Sequence, residues 1–200
     1  MSHNIITLKK DNLDNILKIL ATKYSQINTT PICVYIVGGS AIVLNFDYRE
    51  STLDIDAFYE SNTAFEKAAK ETGEEFELTG DWINQDFINT PSFTPKIIDV
   101  SKLYKRYRNV SFYTVKPEFL IAMKLKSARP TGGDLDDVIK MIYELRLKGK
   151  KITYKKIINA FEYLYDEDYS NTISYFFRKM EEAFYVDLKE IELLLKKYRF

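Results

Sequence analysis

Hydrophobic positions in the first half of the chain form short runs and alternations, with helical spacing between them. Apolar residues recur every three to four positions from 12 to 24, which predicts a helix. The run Ile32-Cys-Val-Tyr-Ile-Val37 is short, apolar and rich in β-branched residues, which predicts a strand. The same criteria predict the other elements of this half: a short helix at 41–44 capped by Ser40, a helix at 63–70, and strands at 53–59, 76–78, 96–100 and 110–115.

From residue 117 onward the spacing of apolar residues is helical throughout. It predicts four helices, at 117–128, 134–148, 154–164 and 172–197. Thr131-Gly132-Gly133 and Gly149 separate the first three. We therefore predict an α+β fold in which a mixed sheet flanked by helices, residues 1–115, precedes a C-terminal helical bundle, residues 116–200.

Composition narrows the class of protein. The chain has 200 residues, of which 46% are hydrophobic, enough for a sizeable core. The single cysteine, Cys33, excludes a disulfide within the chain, and its apolar surroundings indicate a small core residue. No apolar stretch approaches the ~20 residues that span a bilayer, and the N-terminus is polar rather than signal-like. These features predict a cytoplasmic protein that does not enter membranes.

Charge is distributed unevenly, although the net charge is zero. Residues 1–100 hold 8 Lys and Arg against 15 Asp and Glu, whereas residues 101–200 hold 21 against 14. The basic excess is concentrated in residues 101–156. Such a division suits a site that binds metal on one side and a phosphate-bearing ligand on the other, but a solvated charged surface explains it equally well.

The strongest candidate for chemistry is Val37-Gly-Gly-Ser40 followed by Asp54-Ile-Asp56. Residues two apart on a strand share one face and lie about 6–7 Å apart, so Asp54 and Asp56 form a like-charged pair. A divalent cation would neutralise this pair, and Mg²⁺ prefers carboxylates combined with phosphate oxygens and water. The alternative is an exposed strand face with no ligand.

The glycine turn before these acids suits a phosphate ligand. Gly38 and Gly39 allow a close approach of the backbone, and a helix starting at Ser40 would offer N–H groups and a positive dipole end to a triphosphate. A Gly-Gly-Ser turn on its own is more often only a turn. Its combination with the acid pair favours a functional site.

Three motifs in order resemble the DNA polymerase beta-like nucleotidyltransferase superfamily, and most of all the bacterial AbiEii-type toxins and related uncharacterised proteins. The first two motifs are Gly38-Gly39-Ser40-Ala41 and Arg49-Glu-Ser-Thr-Leu-Asp54-Ile-Asp56. The third block comprises Leu120-Ile-Ala-Met-Lys124-Leu125, Arg129-Pro130 and Asp134-Leu-Asp-Asp137. The resemblance covers residues 35–145 and implies a nucleotidyltransferase fold. The insertion Thr131-Gly132-Gly133 departs from the pattern and leaves the register of the third motif open.

The resemblance implies roles for further residues. Lys124 would contact nucleotide phosphates, and Asp134 and Asp137 are favoured over Asp136 as the acids of the third motif because their spacing suits one helical face. Arg129 is a candidate phosphate contact or a partner of one of these acids, and Arg49 is a candidate phosphate contact or a brace for the turn. Two residues are weaker candidates: Asp99 as a third metal carboxylate, with an ordinary strand-end position as the alternative, and Trp82, for which packing is favoured over base stacking.

The predicted function is transfer of a nucleotide from an NTP to an acceptor, with Asp54 and Asp56 holding Mg²⁺ or Mn²⁺. RNA such as tRNA is the favoured acceptor because of the basic stretch, and the resemblance implies that the protein is the toxin of a toxin–antitoxin pair, with a cognate antitoxin as a further partner. The alternatives are transfer to a small molecule, as in antibiotic-modifying enzymes, and a nucleotide-binding protein without turnover.

Overall fold

The computed structural model describes residues 7–127, 129, 133–167 and 174–197. Its strands are β1 (Leu8–Lys9), β2 (Ile32–Ile36), β3 (Ser51–Thr52), β4 (Ile55–Phe58), β5 (Ile83–Asn84), β6 (Ser101–Tyr107) and β7 (Val110–Val115). Its helices are α1 (Lys10–Ile27), α2 (Gly38–Asn45), α3 (Thr63–Glu75), α4 (Ile97–Val100), α5 (Pro117–Ser127), α6 (Asp134–Leu147), α7 (Tyr154–Tyr165), α8 (Ser174–Glu182) and α9 (Leu188–Lys197), with a 3₁₀ helix at Asp86–Asn89. Thr131, Gly132, Pro130 and the predicted helix start at Thr172 lie outside the described residues.

The chain forms two compact units. The first contains the residues up to Asn45 together with Glu50–Phe87 and Ser101–Val115. The second contains Phe46–Arg49, Ile88–Val100 and the chain from Lys116 onward. The second unit therefore includes two segments that precede residue 116, and the domain boundary between residues 115 and 116 stays a prediction.

A mixed five-stranded sheet forms the centre of the first unit, in the order β5-β4-β2-β7-β6. Strand β2 pairs antiparallel with β4 and parallel with β7, β4 pairs parallel with β5, and β6 pairs antiparallel with β7. A separate two-stranded pair joins β1 and β3. This mixed sheet, its flanking helices and the C-terminal helices confirm the predicted α+β class.

The two faces of the sheet differ in burial. One face is fully buried and carries Val34, Ile36, Ala57 and Phe112. The opposite face, called the open face below, carries side chains that stay in part accessible to solvent: Cys33, Tyr35, Asp56, Phe58 and Tyr113. Cys33 is exposed, so its predicted place in the core is wrong. A uniformly apolar run does not reveal which alternate positions face the core.

Two predicted strands are helical or turn structure instead. In residues 96–100, the N–H groups of Ile97, Ile98 and Asp99 donate to the carbonyls three residues earlier, and α4 forms. In residues 76–78, the N–H of Phe76 donates to Thr72 and the N–H of Leu78 to Gly73, which closes the end of α3. Glu77 takes the left-handed conformation (φ 53°) that such a helix end requires.

The second unit is built on α5 to α9. Leu120, Leu125, Val138, Ile142 and Phe161 are all buried in it. The single helix predicted at 172–197 is wrong, because α8 ends at Glu182 and α9 begins at Leu188. Asp187 accepts a hydrogen bond from the N–H of Lys189 and so caps α9. Within the described residues, no helix is both long and apolar enough to cross a bilayer.

Candidate active site

Asp56 lies against the glycine turn at the end of β2. Its neighbours Ile55 and Ala57 are fully buried, which turns the Asp56 side chain to the open face. The N–H of Val37 donates to the Asp56 carbonyl at 2.9 Å, joining the turn to β4. A Cβ built on Gly38 would lie 2.3 Å from Asp56 Oδ2. The carboxylate therefore occupies the space that any side chain at position 38 would need.

Gly38 also has a backbone conformation that favours glycine. Its φ is +61°, in the left-handed region, where a Cβ costs energy even without a neighbour. Both the close approach of the carboxylate and the backbone angle thus require glycine here.

Asp54 lies one residue before β4, between β3 and β4. The strand predicted at 53–59 is shorter than expected, and Leu53, which precedes β4, is 57% exposed. From Asp54 to Tyr59 partly exposed and buried residues alternate strictly. The N–H of Ile55, between the two acids, donates to the Trp82 carbonyl at 2.7 Å, which holds this start of the strand against the neighbouring chain.

Helix α2 begins at Gly38, two residues earlier than predicted. The N–H of Ala41 donates to the Val37 carbonyl at 3.1 Å and so makes a hydrogen bond of the first helical turn. The N–H groups of the three residues before Ala41 belong to the start of the helix, which has no carbonyls of its own to accept them. The predicted capping role of Ser40 is wrong: its hydroxyl is buried and donates to the Val37 carbonyl at 3.0 Å. A contact of Gly39 or Ser40 with nucleotide phosphates stays a prediction.

Strand β5 brings Asn84 beside Asp56, a neighbour that the sequence pattern did not reveal. Asp56 and Asn84 are register partners in the parallel pair of β4 and β5. The Asn84 side chain donates to the Asp81 carbonyl and accepts from the N–H of Asp86. Trp82 is buried and its Nε1–H donates to the Ala69 carbonyl at 2.9 Å, which confirms the predicted packing role.

In the second unit, Lys124 and the acids of the third motif form an ion cluster. Lys124 Nζ lies 2.9 Å from Asp134 Oδ1 and 3.1 Å from Asp137 Oδ2. Arg129 donates to Asp134 from Nε (3.0 Å) and its backbone N–H (3.2 Å), and Arg49 Nη1 donates to Asp137 at 3.1 Å. The expectation that Asp134 and Asp137 share one helical face is confirmed, since both contact the same ammonium group.

Burial and charged neighbours both shift pKa values in this ion cluster. Asp134 is fully buried; burial by itself raises the pKa of its carboxyl, but the hydrogen bonds from Arg129 and Lys124 outweigh it and hold the pKa below its ordinary value. The hydroxyl of Tyr48 donates to Asp137 Oδ1 at 3.1 Å. Burial, and then the Asp137 charge, raise the pKa of Tyr48 far above its ordinary range.

The other two candidate acids lie at the surface. Asp136 is exposed and pairs with Lys140 at 3.5 Å along α6. Asp99 is exposed on the four-residue helix α4, so the strand-end position expected for it is wrong.

Glu144 is a buried acid that holds the segment carrying Tyr48 and Arg49. Its carboxylate accepts from the N–H groups of Asp47 and Tyr48 at 2.9 Å each and from Lys148 Nζ at 2.5 Å. The sequence signal for it is a glutamate among the apolar residues of α6. Because backbone N–H groups donate to an ionised acceptor here, the contact fixes the segment strongly.

A comparison with known protein families shows which family the chain belongs to. Residues 11–184 match a family described as nucleotidyltransferases of unknown function (DUF6036). The chain belongs to this family. The three motifs at 38–41, 49–56 and 120–137 all lie within the matched region. No curated protein and no solved structure matches the chain. A particular closeness to AbiEii-type toxins stays a prediction.

The donor atoms of this nucleotidyltransferase fit a magnesium ion that is shared with a substrate. Across the described ranges, no group of three or more His, Cys, Asp or Glu side chains is placed to hold a metal. Asp54 and Asp56 would therefore supply only part of a coordination shell. Mg²⁺ binds in this way, with one or two carboxylates and the remaining positions filled by phosphate oxygens and water. That Asp54 and Asp56 hold a metal ion stays a prediction.

Proposed function

We propose that this nucleotidyltransferase moves a nucleotide from an NTP to an acceptor hydroxyl, with Asp54 and Asp56 as the metal-binding acids. The observation that carries the proposal is the contact of Asp56 with Gly38, where a Cβ would lie 2.3 Å from the carboxylate. It supports a site in which an acid and a helix N-terminus are adjacent. A cation between the two would face both the carboxylates and a triphosphate.

The chemistry assigned to the residues is an in-line displacement. The acceptor oxygen forms a bond to the α-phosphorus, and the bond from that phosphorus to the bridging oxygen of the β-phosphate breaks, so pyrophosphate leaves. The acceptor proton passes to a carboxylate oxygen of the acid pair. The amides at the start of α2 bind phosphate oxygens. Bound Mg²⁺ or Mn²⁺ supplies charge neutralisation at the phosphates.

RNA is the acceptor that the charge distribution supports best. Strand β6 and the turn after it carry four cationic residues, Lys102, Lys105, Arg106 and Arg108. Within the described residues, Lys102, Arg106 and Arg108 make no ion pair. Lys105 alone pairs with Asp14. A polyanion gains from such unneutralised cations, whereas a cationic drug does not. The toxin role rests on the resemblance to AbiEii-type proteins, and growth arrest on induction of wild type but not of Asp56→Asn would support it.

The ion cluster of the second unit has three cationic side chains and two carboxylates. A cationic side chain of this cluster that reaches the surface supports the expected contact with nucleotide phosphates. Arg129 is the accessible member, with a side chain 65% exposed, whereas Lys124 is buried. We assign phosphate contact to Arg129 and a positioning role to Lys124.

Label transfer tests the proposal. Purified protein is incubated with Mg²⁺, total RNA and each NTP labelled at the α-phosphorus. Wild type is expected to label RNA, and Asp54→Asn and Asp56→Asn to lose at least about 100-fold of the rate, as for loss of a group that acts on the transferring phosphate. Asp81→Asn, an exposed acid of the same unit, is the matched control and should label normally. Equal labelling by Asp56→Asn, or labelling of RNA from a second set of NTPs that carry the label at the γ-phosphorus instead, contradicts the proposal.

A further inference from the structure

Three aromatic side chains form a row across the open face of the sheet. Tyr35 of β2 is the register partner of Phe58 on β4 and of Tyr113 on β7. The ring centroids of Tyr35 and Phe58 lie 6.4 Å apart, and those of Tyr35 and Tyr113 lie 5.0 Å apart with the planes at 22°. All three rings are partly accessible to solvent. We call Phe58, Tyr35 and Tyr113 the aromatic row.

The three rings lie on the face of the sheet opposite its fully buried face. The hydrophobic core occupies the other face of the sheet, where Val34, Ile36 and Phe112 are fully buried. Aromatic residues that remain part-exposed on a sheet surface offer flat faces on which other rings can stack. A ligand with several planar groups fits a row that crosses three strands better than a ligand with one.

The aromatic row begins beside the candidate catalytic acids. Phe58 follows Asp56 by two residues on β4, so the two side chains project from the same face about 7 Å apart. The row thus leads directly away from the acid that contacts the glycine turn.

At its other end the aromatic row reaches cationic residues. Leu103 on the edge strand β6 is the partner of Tyr113 and is 50% exposed. Arg106 on the same strand is the partner of Ser111, and its Nε donates to the serine hydroxyl at 2.9 Å. That bond holds the guanidinium on the open face and uses one of its five N–H donors. Charge therefore changes from negative at β4 to positive at β6.

We infer that the aromatic row is the platform on which unpaired bases of the RNA acceptor stack, so that the terminal hydroxyl reaches Asp56 and the phosphates run toward Arg106 and Arg108. Stacking on aromatic side chains along a positively charged track is how proteins hold single strands without reading their sequence. A single NTP base would use one position of the row, whereas a strand with several unpaired bases can use more than one. The role of the terminal hydroxyl rests on the proposed nucleotidyl transfer, but the stacking does not.

The inference is tested by measuring the binding of a labelled single-stranded oligoadenylate by fluorescence anisotropy, in the absence of NTP. Tyr35→Leu keeps the apolar volume but removes the central ring, and is expected to raise the Kd for RNA roughly 5- to 100-fold. Tyr35→Phe keeps the ring and should bind as wild type does. Tyr185→Leu, which removes an exposed tyrosine of the second unit, is the matched control.

A charge variant makes the test independent of any folding defect at Tyr35. Arg106→Glu is expected to weaken binding of the strand and to lower the salt dependence of the Kd, whereas Lys70→Glu, an equal charge change at an exposed position of α3, should have little effect. The duplex of the same strand should bind less tightly than the single strand. Binding of a fluorescent non-hydrolysable ATP analogue should be unchanged in Tyr35→Leu.

Several outcomes overturn the inference: unchanged RNA affinity in Tyr35→Leu and Arg106→Glu, loss of ATP-analogue binding rather than RNA binding, or equal affinity for duplex and single strand. Failure of the nucleotidyl transfer proposal is a separate result. If wild type transfers no label but Tyr35→Leu still lowers RNA affinity, the catalytic proposal falls and the platform stands. If Tyr35→Leu binds and labels RNA as wild type does, the platform falls and the catalytic proposal stands.

Discussion

Replacing Gly38 by alanine tests the close approach of Asp56 to the glycine turn. The added methyl group would lie 2.3 Å from Asp56 Oδ2 and 3.2 Å from its Cγ. Carbon and oxygen atoms do not approach to 2.3 Å without bonding, so one of them must move. The carboxylate is the end of a side chain, and it will retreat by about 1 Å to reach ordinary contact distance.

Two costs add in this variant. The left-handed backbone at Gly38, φ +61°, costs an alanine about 1–2 kcal/mol. Forcing the Asp56 side chain away from its preferred rotamer costs about 0.5–1.5 kcal/mol more. We expect a total of about 1.5–3.5 kcal/mol in the free energy of unfolding, which for a chain of this size lowers the Tm by about 3–14 °C. Because a misplacement of ~1 Å can cost about 100-fold in rate, label transfer should fall by a similar factor.

Urea unfolding with a matched glycine variant separates the two costs. Gly149 has nearly the same backbone angle, φ +64°, and no atom lies within 4 Å of a Cβ built there. Gly149→Ala therefore reports the backbone cost alone. In the double variant Gly38→Ala, Asp56→Ala the clashing carboxylate is absent, so the two substitutions should be coupled by about 0.5–1.5 kcal/mol. Equal costs for Gly38→Ala and Gly149→Ala, together with no coupling to Asp56, would refute the contact.

Three further predictions concern buried or paired groups. Glu144→Ala removes the acceptor of the Asp47 and Tyr48 backbone N–H groups, of which the Tyr48 contact is buried, and should cost about 2–4 kcal/mol in urea unfolding. Glu162→Ala, which changes an exposed glutamate, should cost less than about 0.5 kcal/mol, and similar losses in the two variants would contradict the role of Glu144. The pKa of Asp134 is lower in the folded state than the value near 3.8 of the unfolded chain, so its contribution to stability is complete above pH 3.8 and is lost as the pH falls through the folded pKa. Asp134→Asn should therefore flatten the acid side of the curve of stability against pH. An unchanged acid slope would count against this role. Burial and the nearby Asp14 raise the pKa of Tyr104 to about 12, and an ultraviolet titration of Asp14→Asn should find it closer to 10; an unaltered curve would exclude the Asp14 effect.

The local pattern was sufficient to predict the elements that carry the acids. The apolar runs predicted strands at 32–37 and 53–59, where β2 and β4 form, and the glycines marked the turn after β2. It failed where pairing with another strand decides the structure. Strand β5 has two residues and exists through its pairing with β4. Strand β6 is polar and charged because it lies at the sheet edge, so it lacks the apolar signal of a strand.

The ion cluster of the second unit shows a similar division. The spacing of Asp134 and Asp137 predicted that they share a helical face, since residues three apart on a helix are neighbours. The contacts of Tyr48 with Asp137 and with Glu144 join positions 89 and 96 residues apart, and no local pattern predicts such partners. The aromatic row was missed for the same reason, because its rings come from three strands whose order only the sheet topology defines.

Binding of Mn²⁺ in the presence of a non-hydrolysable NTP analogue, measured by electron paramagnetic resonance, tests most directly whether Asp54 and Asp56 form a metal site. Wild type should bind the ion far more tightly with the analogue than without it, because two carboxylates alone leave most of the coordination shell to phosphate and water. The double variant Asp54→Asn, Asp56→Asn should lose that nucleotide-dependent binding. Undiminished binding of Mn²⁺ and analogue by the double variant would contradict the account.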